Sequence, residues 1–171
     1  MSAVASMQTT GRAWVVGDNI PSDQMVKSHR VFLPMEEIVR YVLEDAHPGF
    51  AVGVSAGDVL IAGRHFGQSS GRAIATKAIK ATRVGCVVAE TFARTFYRNA
   101  FEIGLPILEV PDVREYVADG DRVSVDVAAG TLRNERTGEV VHGNPTDPFL
   151  IDMLKGGGLI PIAAQLAGEP S

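Results

Sequence analysis

The sequence predicts an α/β protein with a mainly parallel βαβαβ core followed by a C-terminal antiparallel meander. In the middle of the chain, short Val-rich runs alternate with longer segments whose apolar residues recur at helical spacing. After Asp119-Gly120 the hydrophobic period changes to two, because Val123, Val125 and Val127 alternate with polar residues. The first pattern is typical of parallel strands joined by helices, and the second of strands joined by tight turns.

Length and composition are those of one globular domain. The chain has 171 residues, of which 46% are hydrophobic and 21% charged, which argues against disorder. We expect a flexible N-terminal tail at 1–10 and a single domain at 11–171. The net charge of −4 provides no basic surface for nucleic acid. No apolar run approaches the roughly 20 residues of a membrane span, so a cytoplasmic location is expected.

Each element has a local signal. Strand, glycine-rich loop, helix, strand, helix and strand follow one another in the middle of the chain, which predicts parallel pairing with right-handed crossovers. The predicted strands of this part are 13–16, Val59–Ala62, 85–89 and 106–110, and its helices are 34–43, one containing Ile74 to Ile79, and 91–101, ended by Gly104. The meander strands are 122–127, Thr131–Asn134 and 139–142, followed by helices at Pro148–Lys155 and 159–166.

The most informative local feature is Gly67-Gln68-Ser69-Ser70-Gly71-Arg72, between a predicted strand and a predicted helix. Unpaired N–H groups at a helix start, together with hydroxyls and a guanidinium, suit a carboxylate or a phosphate. The alternative is that Ser70 only caps the helix while Gly71 relieves the turn. The spacing matches neither a P-loop nor a dinucleotide-binding fingerprint.

Other polar residues are open to two interpretations. Asp18 and Asp23 could bind a metal or orient a catalytic group, or they could cap turns. Arg94 and Arg98, on an otherwise apolar helix, could anchor a neighbouring loop or extend along its surface. The single cysteine, Cys86, excludes an intramolecular disulfide and a metal cluster held by cysteines of this chain alone; its position in a predicted strand indicates a buried, unreactive thiol.

Three segments together resemble the 3-isopropylmalate dehydratase small subunits. Residues 17–24 (Gly-Asp-Asn-Ile-Pro-Ser-Asp-Gln) resemble that family's Gly-Asp-Asn/Asp-Ile-Asp-Thr-Asp opening. Residues 63–72 resemble its Gly-x-Asn-Phe-Gly-Cys-Gly-Ser-Ser-Arg-Glu-His turn, and residues 91–100 are close to its Ser-Phe-Ala-Arg-Ile-Phe-Tyr-Arg-Asn-Ala helix. Order and spacing agree, and the similarity extends over about 12–166.

The resemblance implies a swivelling β/β/α domain of the aconitase superfamily. It also implies a hydro-lyase that dehydrates and rehydrates a hydroxy di- or tricarboxylic acid, in leucine biosynthesis for the family's usual substrate. A separate large subunit is expected to hold a [4Fe–4S] cluster, with the two subunits in a heterodimer or heterotetramer. The lone cysteine agrees with a cluster held by another chain.

The resemblance further implies the site residues. The catalytic residues are Ser70, as the base, and Asp23; Arg72 binds a substrate carboxylate, with Ser69 and Gly71 in the same substrate-binding turn. Arg30 is a further substrate-binding candidate, because Arg30-Val31-Phe32 stands where 3-isopropylmalate enzymes tend to show Tyr-Leu-Arg.

Departures from the family's turn leave alternatives open. Gly71 replaces its second serine, and Ala73-Ile74 replace its Glu-His pair. These changes are compatible with another substrate, with weaker activity, or with a non-catalytic swivel-domain homologue that binds a large subunit without turnover.

Overall fold

The computed structural model describes residues 7–68, 73–144 and 146–157. Within them, seven strands form one sheet in the order β4-β3-β2-β1-β5-β6-β7. The strands are β1 (Gln8–Val15), β2 (Val59–Ala62), β3 (Cys86–Ala89), β4 (Ile107–Glu109), β5 (Arg122–Asp126), β6 (Thr131–Asn134) and β7 (Val140–His142). The helices are α1 (Ser22–Met25), α2 (Met35–Ile38), α3 (Phe50–Gly53), α4 (Ala73–Ala81), α5 (Arg94–Ile103) and α6 (Pro148–Lys155), with short 3₁₀ helices at Ser28–Arg30, Val39–Tyr41 and Val113–Glu115.

Strand β1 joins two kinds of sheet. Its residues 8–12 pair antiparallel with β5, and its residues 13–15 pair parallel with β2. Beyond β2, the strands β3 and β4 continue the parallel pairing, whereas β5, β6 and β7 form an antiparallel meander. The α/β class, the parallel core and the C-terminal meander are therefore confirmed.

The core lies mainly against the parallel strands. All residues of β2 and β3 are fully buried, as expected for strands covered on both faces. Helix α4 buries Ala75, Thr76, Ala78 and Ile79 while Lys77 and Lys80 are exposed. In the meander, by contrast, Val123 and Val125 face the core and their neighbours along β5 do not.

The predicted tail at 1–10 is wrong at its C-terminal end. Gln8, Thr9 and Thr10 belong to β1 and pair with Asp126, Val125 and Ser124. Their side chains are exposed or half-buried, so the polar sequence concealed a strand that is held by backbone hydrogen bonds. Residues 1–6 lie outside the described residues.

Two helix predictions also need correction. The continuous helix at 34–43 is wrong, because α2 ends at Ile38 and a 3₁₀ turn at Val39–Tyr41 follows. The helix at 91–101 begins only at Arg94, and it buries Phe96, Ala100 and Phe101. Gly104 does end this helix, with a φ of 79° in the left-handed region.

No helix in the described part of the chain is long and apolar enough to cross a membrane. The predicted helix at 159–166 lies outside the described residues.

Candidate active site

Two loops run side by side at the carboxyl ends of β1 and β2. We call residues 17–23 the opening loop and residues 63–68 the glycine-rich loop. Both continue from paired parallel strands, and backbone hydrogen bonds join them along their length. These bonds are Gly63 N to Gly17 O (3.1 Å), Asn19 N to Arg64 O (2.7 Å), Gly67 N to Ile20 O (2.8 Å) and Ser22 N to Gln68 O (3.0 Å).

The two loops end together beside the predicted serine turn. Ser22, the residue before Asp23, bonds to Gln68, the residue before Ser69. Asp23 lies in the first turn of α1 with its side chain exposed. The structure therefore brings Asp23 to the start of the turn that the sequence singled out. The other predicted residues of that turn lie outside the described residues: Ser69, Ser70, Gly71 and Arg72.

A third loop, after β3, closes on the glycine-rich loop. Phe66 N donates to Thr91 O at 3.1 Å, and Ala93 N donates to Phe66 O at 2.9 Å. The backbone N–H of His65 donates to Thr91 Oγ1 at 2.8 Å, which holds His65 at a φ of 56°. That is the left-handed region in which asparagine is enriched, and asparagine is the residue that the resemblance expects at this position.

An ionic cluster links all three loops at their base. Arg114, in the 3₁₀ helix after β4, donates through Nη2 to Asp18 Oδ1 at 2.6 Å and through Nε to Glu90 Oε2 at 2.9 Å. Asp18 Oδ1 also accepts the backbone N–H of Arg64 at 2.8 Å. The Arg64 N–H and the Arg114 guanidinium hold the pKa of Asp18 below its usual value, against a smaller opposing effect of burial.

Asp18 therefore holds the loops together through its bonds to Arg64 and Arg114. Asp23 lies elsewhere, in the first turn of α1. Among the described residues, no group of three or more His, Cys, Asp or Glu side chains is arranged to hold a metal ion. The interpretation of Asp18 and Asp23 as a metal site therefore has no geometric support in this part of the chain.

Arg30, the other predicted substrate-binding residue, is bound within the protein. Its Nε and Nη2 donate to the two carboxylate oxygens of Glu44 at 2.7 and 3.2 Å, and its guanidinium lies 3.5 Å from the centre of the Tyr41 ring. A substrate carboxylate would have to compete with Glu44 for these donors. Phe32, two residues further on, is 92% exposed. A substrate-binding role of Arg30 stays a prediction.

Cys86 does not fit an iron–sulfur cluster. Its side chain is fully buried within β3, and burial strongly raises the pKa of its thiol. Iron–sulfur ligation requires an accessible thiolate. The predicted burial of the thiol is confirmed, and the described residues of this chain provide no accessible cysteine for a cluster.

The two arginines of α5 border a groove on the surface of that helix. Arg94 and Arg98 are exposed and flank a mainly apolar groove of about 450 Å³ between α5 and α6. Tyr97 and Phe149 contribute to this groove.

Sequence reasoning did not single out Glu90 or Arg114. Glu90 directly follows a buried parallel strand, a position that often carries functional side chains. Arg114 had no comparable local signal, because its partner Asp18 lies 96 residues away in the chain.

Fold and sequence comparison agree on the class of protein. Residues 54–112 match the family described as the aconitase C-terminal domain. A crystal structure of 3-isopropylmalate dehydratase from Methanocaldococcus jannaschii has the same fold, with a TM-score of 0.88 and 27% identity over 94% of this chain and 96% of that chain. The protein is an aconitase-type swivel domain.

The relatives define the family more closely. The 3-isopropylmalate dehydratase small subunit of Methanosarcina mazei is 38% identical over 93% of this chain and 98% of its own length. The isopropylmalate/citramalate isomerase small subunit of Methanocaldococcus jannaschii is 38% identical over 93% and 95%, and the 3-isopropylmalate dehydratase small subunit 1 of Thermotoga maritima is 41% identical over 88% and 91%. The chain belongs to the family of 3-isopropylmalate dehydratase small subunits, and it is the small subunit of an aconitase-type hydro-lyase.

Proposed function

We propose that this chain, bound to a large subunit, removes water from a malate-type hydroxy acid and adds it back, with Ser70 as the base. The observation that carries the proposal is the hydrogen-bonded pairing of the opening loop with the glycine-rich loop, which ends at Ser22 and Gln68. Asp23 directly follows Ser22 in the sequence, and the turn with Ser70 and Arg72 directly follows Gln68.

In the proposed reaction, Ser70 removes a proton from the carbon next to a substrate carboxylate. The electron pair of that C–H bond forms a C=C bond as the hydroxyl leaves the neighbouring carbon, and rehydration reverses both steps. A serine hydroxyl is a very weak base, so Ser70 needs nearby donors and cations that stabilise its ionised form. Arg72 and the start of α4, which begins at Ala73, are the sources that the sequence offers.

Arg72 also has the chemistry for substrate binding. A guanidinium binds a planar carboxylate through two parallel N–H groups, which would orient the acid over Ser70. Asp23 would accept a hydrogen bond from one of these groups, with Ser69 and Gly71 shaping the turn around them.

The proposal assigns the iron–sulfur cluster to the large subunit, in a heterodimer or heterotetramer. The burial of Cys86 supports a cluster held by another chain. Such a cluster supplies a Lewis acid for the hydroxyl group that leaves. The cytoplasmic location and the stoichiometry stay predictions.

We further propose that the substrate carries an apolar, branched or aromatic group. Phe32 stands in this chain where the related enzymes tend to have an arginine, and its side chain is 92% exposed. Arg30, the cation nearest in sequence, is bound to Glu44. An exposed aromatic ring at this position favours contact with an apolar substituent over a second charge.

The proposal is tested with the co-expressed two-subunit complex. We expect an increase in ultraviolet absorbance from the conjugated unsaturated acid when 3-isopropylmalate, citramalate or 3-benzylmalate is added. Ser70→Ala should lower kcat at least about 100-fold, since a positioned base contributes about 10²–10⁴. Ser124→Ala, a serine of β5 that bonds to Thr10, is the matched control and should keep wild-type kcat.

Equal activity of the Ser70→Ala complex would remove Ser70 from the role of base. A wild-type complex that assembles with its cluster intact but converts none of the three acids would favour the non-catalytic homologue. Turnover by the small subunit alone would contradict the two-subunit enzyme.

A further inference from the structure

We propose that Arg114 is a positioning residue of the active site, which holds the opening loop and the loop after β3 together and thereby positions Asp23 and Gln68, at the ends of the opening loop and the glycine-rich loop. The inference rests on the proposed function for its consequence in catalysis. Its structural part rests on the contacts of Arg114 alone.

Arg114 bonds to carboxylates from two different loops. Asp18 lies in the opening loop, and Glu90 follows β3 directly. A guanidinium is planar and presents its N–H donors at fixed angles, so two carboxylates bound to different nitrogens are held at a fixed separation. Loops from β1 and β3 are thereby fastened by a residue that itself follows β4.

The glycine-rich loop is tied to the same point. Asp18 Oδ1 accepts the backbone N–H of Arg64 as well as the Arg114 donor. Gly63 lies directly beneath these groups, and a Cβ atom there would overlap with the Asp18 carboxylate and the Arg114 guanidinium. The absence of a side chain at Gly63 is what allows the ion pair to pack on the backbone of this loop.

The pair of Glu90 and Arg114 is partly shielded from water, whereas the Asp18 side chain is 44% exposed. The side chains of Glu90 and Arg114 are 11% and 32% exposed, whereas those of a surface pair in the meander, Arg133 and Glu135, are 59% and 36% exposed. Solvent screens a shielded pair less than an exposed one. Arg114 is therefore better placed than an ordinary surface arginine to restrain its neighbours.

A displacement at the cluster would reach Ser22 and Gln68 along two paths. The opening loop runs from Asp18 to Ser22, and the glycine-rich loop runs from Arg64 to Gln68, where backbone hydrogen bonds join them. Both loops are short and joined by backbone hydrogen bonds, so we expect a displacement of one loop to displace the other. A misplacement of about 1 Å at a catalytic group can cost about 100-fold in rate.

The test uses the two-subunit complex with Arg114→Gln and Arg114→Lys. We expect Arg114→Gln to lower kcat about 10- to 100-fold and to change KM much less, because the substrate-binding groups are retained but misaligned. Arg114→Lys should recover part of kcat, since an ammonium keeps the charge but reaches one carboxylate at a time.

Arg136→Gln is the matched control. Like Arg114, Arg136 binds carboxylate oxygens through Nε and Nη2, but both oxygens belong to one residue, Asp121. Arg136 lies in the turn between β6 and β7. Its replacement should reduce stability without lowering kcat. A kcat of Arg114→Gln equal to that of the control would overturn the proposal.

Hydrogen exchange in the same complexes provides a readout that does not depend on turnover. We expect the backbone amides of Arg64, Gly67 and Ser22 to exchange faster in Arg114→Gln than in Arg136→Gln. Unchanged exchange at these amides would overturn the inference even if kcat fell. If the wild-type complex converts no acid, the proposed function fails, and the exchange measurement still decides whether Arg114 positions the loops.

Discussion

The two halves of the sheet use polar side chains differently. In the parallel half (β2, β3, β4 and residues 13–15 of β1), Arg114 connects the loops after β1 and β3, and its partner Asp18 binds the loop after β2. In the antiparallel half (β5, β6, β7 and residues 8–12 of β1), Asp121 and Arg136 connect the start of β5 to the neighbouring turn after β6. The first arrangement assembles a site, and the second secures a hairpin.

The difference follows from strand direction. Parallel strands have all their carboxyl ends at one edge, so the loops that follow them meet there and can share a ligand. In a meander, successive strands end at opposite edges, and each turn meets mainly its own neighbours. The opening loop and the glycine-rich loop lie together because β1 and β2 are parallel.

The largest loss of stability is expected from a substitution at Asp58, beside the point where β1 changes from antiparallel to parallel pairing. Asp58, a buried residue at the start of β2, accepts the backbone N–H groups of Arg12 (3.1 Å) and Ser55 (2.9 Å) and the Nε1–H of Trp14 (3.0 Å). Asp58→Ala leaves all three donors without this acceptor. It should lower the free energy of unfolding by at least about 3 kcal/mol, at about 1 kcal/mol or more for each donor, measured by urea denaturation.

Asp126→Ala provides the matched comparison in the antiparallel half. Asp126 is half-buried and accepts from Gln8 Nε2 and Ala129 N, so its loss should cost about 1 kcal/mol. Equal costs for the two variants would show that Asp58 has no special role at the junction.

A second pair of variants compares packing at two glycines with the same backbone conformation. Gly67, in the glycine-rich loop, has a φ of 91°, and Gly120, before the meander, has a φ of 92°. A Cβ at Gly67 would overlap with Phe96, whereas a Cβ at Gly120 would meet no atom of the described residues within 4 Å. Both substitutions to Ala should incur the cost of about 1–2 kcal/mol for left-handed backbone.

Gly67→Ala should lower the free energy of unfolding by about 1–3 kcal/mol more, because the added Cβ is overpacked against Phe96. The difference between the free energies of unfolding of the two variants isolates this packing contribution. Equal destabilisation by both would show that the glycine-rich loop can move away from α5 at no cost, which would weaken its role as a fixed support.

Local patterns predicted the elements whose burial is uniform or strictly periodic. Val59–Ala62 and Pro148–Lys155 have the predicted bounds, because a continuous apolar run or a proline at a helix start is a local signal. The first half of β1 was missed because its side chains are largely exposed and its stability comes from pairing with β5. The helix predicted at 91–101 begins three residues later, at Arg94, because Thr91 and Ala93 bond through their backbone to Phe66.

The candidate site divides in the same way. Asp23 and the glycine-rich loop were recognisable from sequence motifs, because their spacing is short and specific. The bond of Arg114 to Asp18 joins residues 96 positions apart, and only the strand order brings them together. Arg30 is the reverse case. Its position in the sequence suggested a substrate-binding residue, but its bonds to Glu44 depend on how the segment after it folds back.

The smallest loss of stability is expected from a substitution in the ion pair of Asp121 and Arg136, in the antiparallel half. Asp121 is buried and accepts from Arg136, from Asn134 Nδ2 at 2.9 Å and from Ala118 N at 2.9 Å. The hydrogen bond from Arg136 holds the pKa of Asp121 far below its usual value, although burial acts in the opposite direction. The ionised carboxylate therefore stabilises the folded state above about pH 4, and this contribution is lost as the pH falls toward the pKa of the folded state.

Asp121→Asn should lower the free energy of unfolding by about 1 kcal/mol at neutral pH, because charge-assisted hydrogen bonds become neutral ones. The difference from wild type should narrow as the pH falls below about 4, since the carboxylate of the unfolded wild type then takes up a proton that the folded state, with its lower pKa, binds only at still lower pH. Urea denaturation over a pH series measures this, with the exposed Asp152→Asn of α6 as a control that should differ little from wild type. A difference that stays constant with pH would mean that Asp121 acts through its shape and neutral hydrogen bonds, and that the antiparallel half has no electrostatic counterpart to the Arg114 cluster.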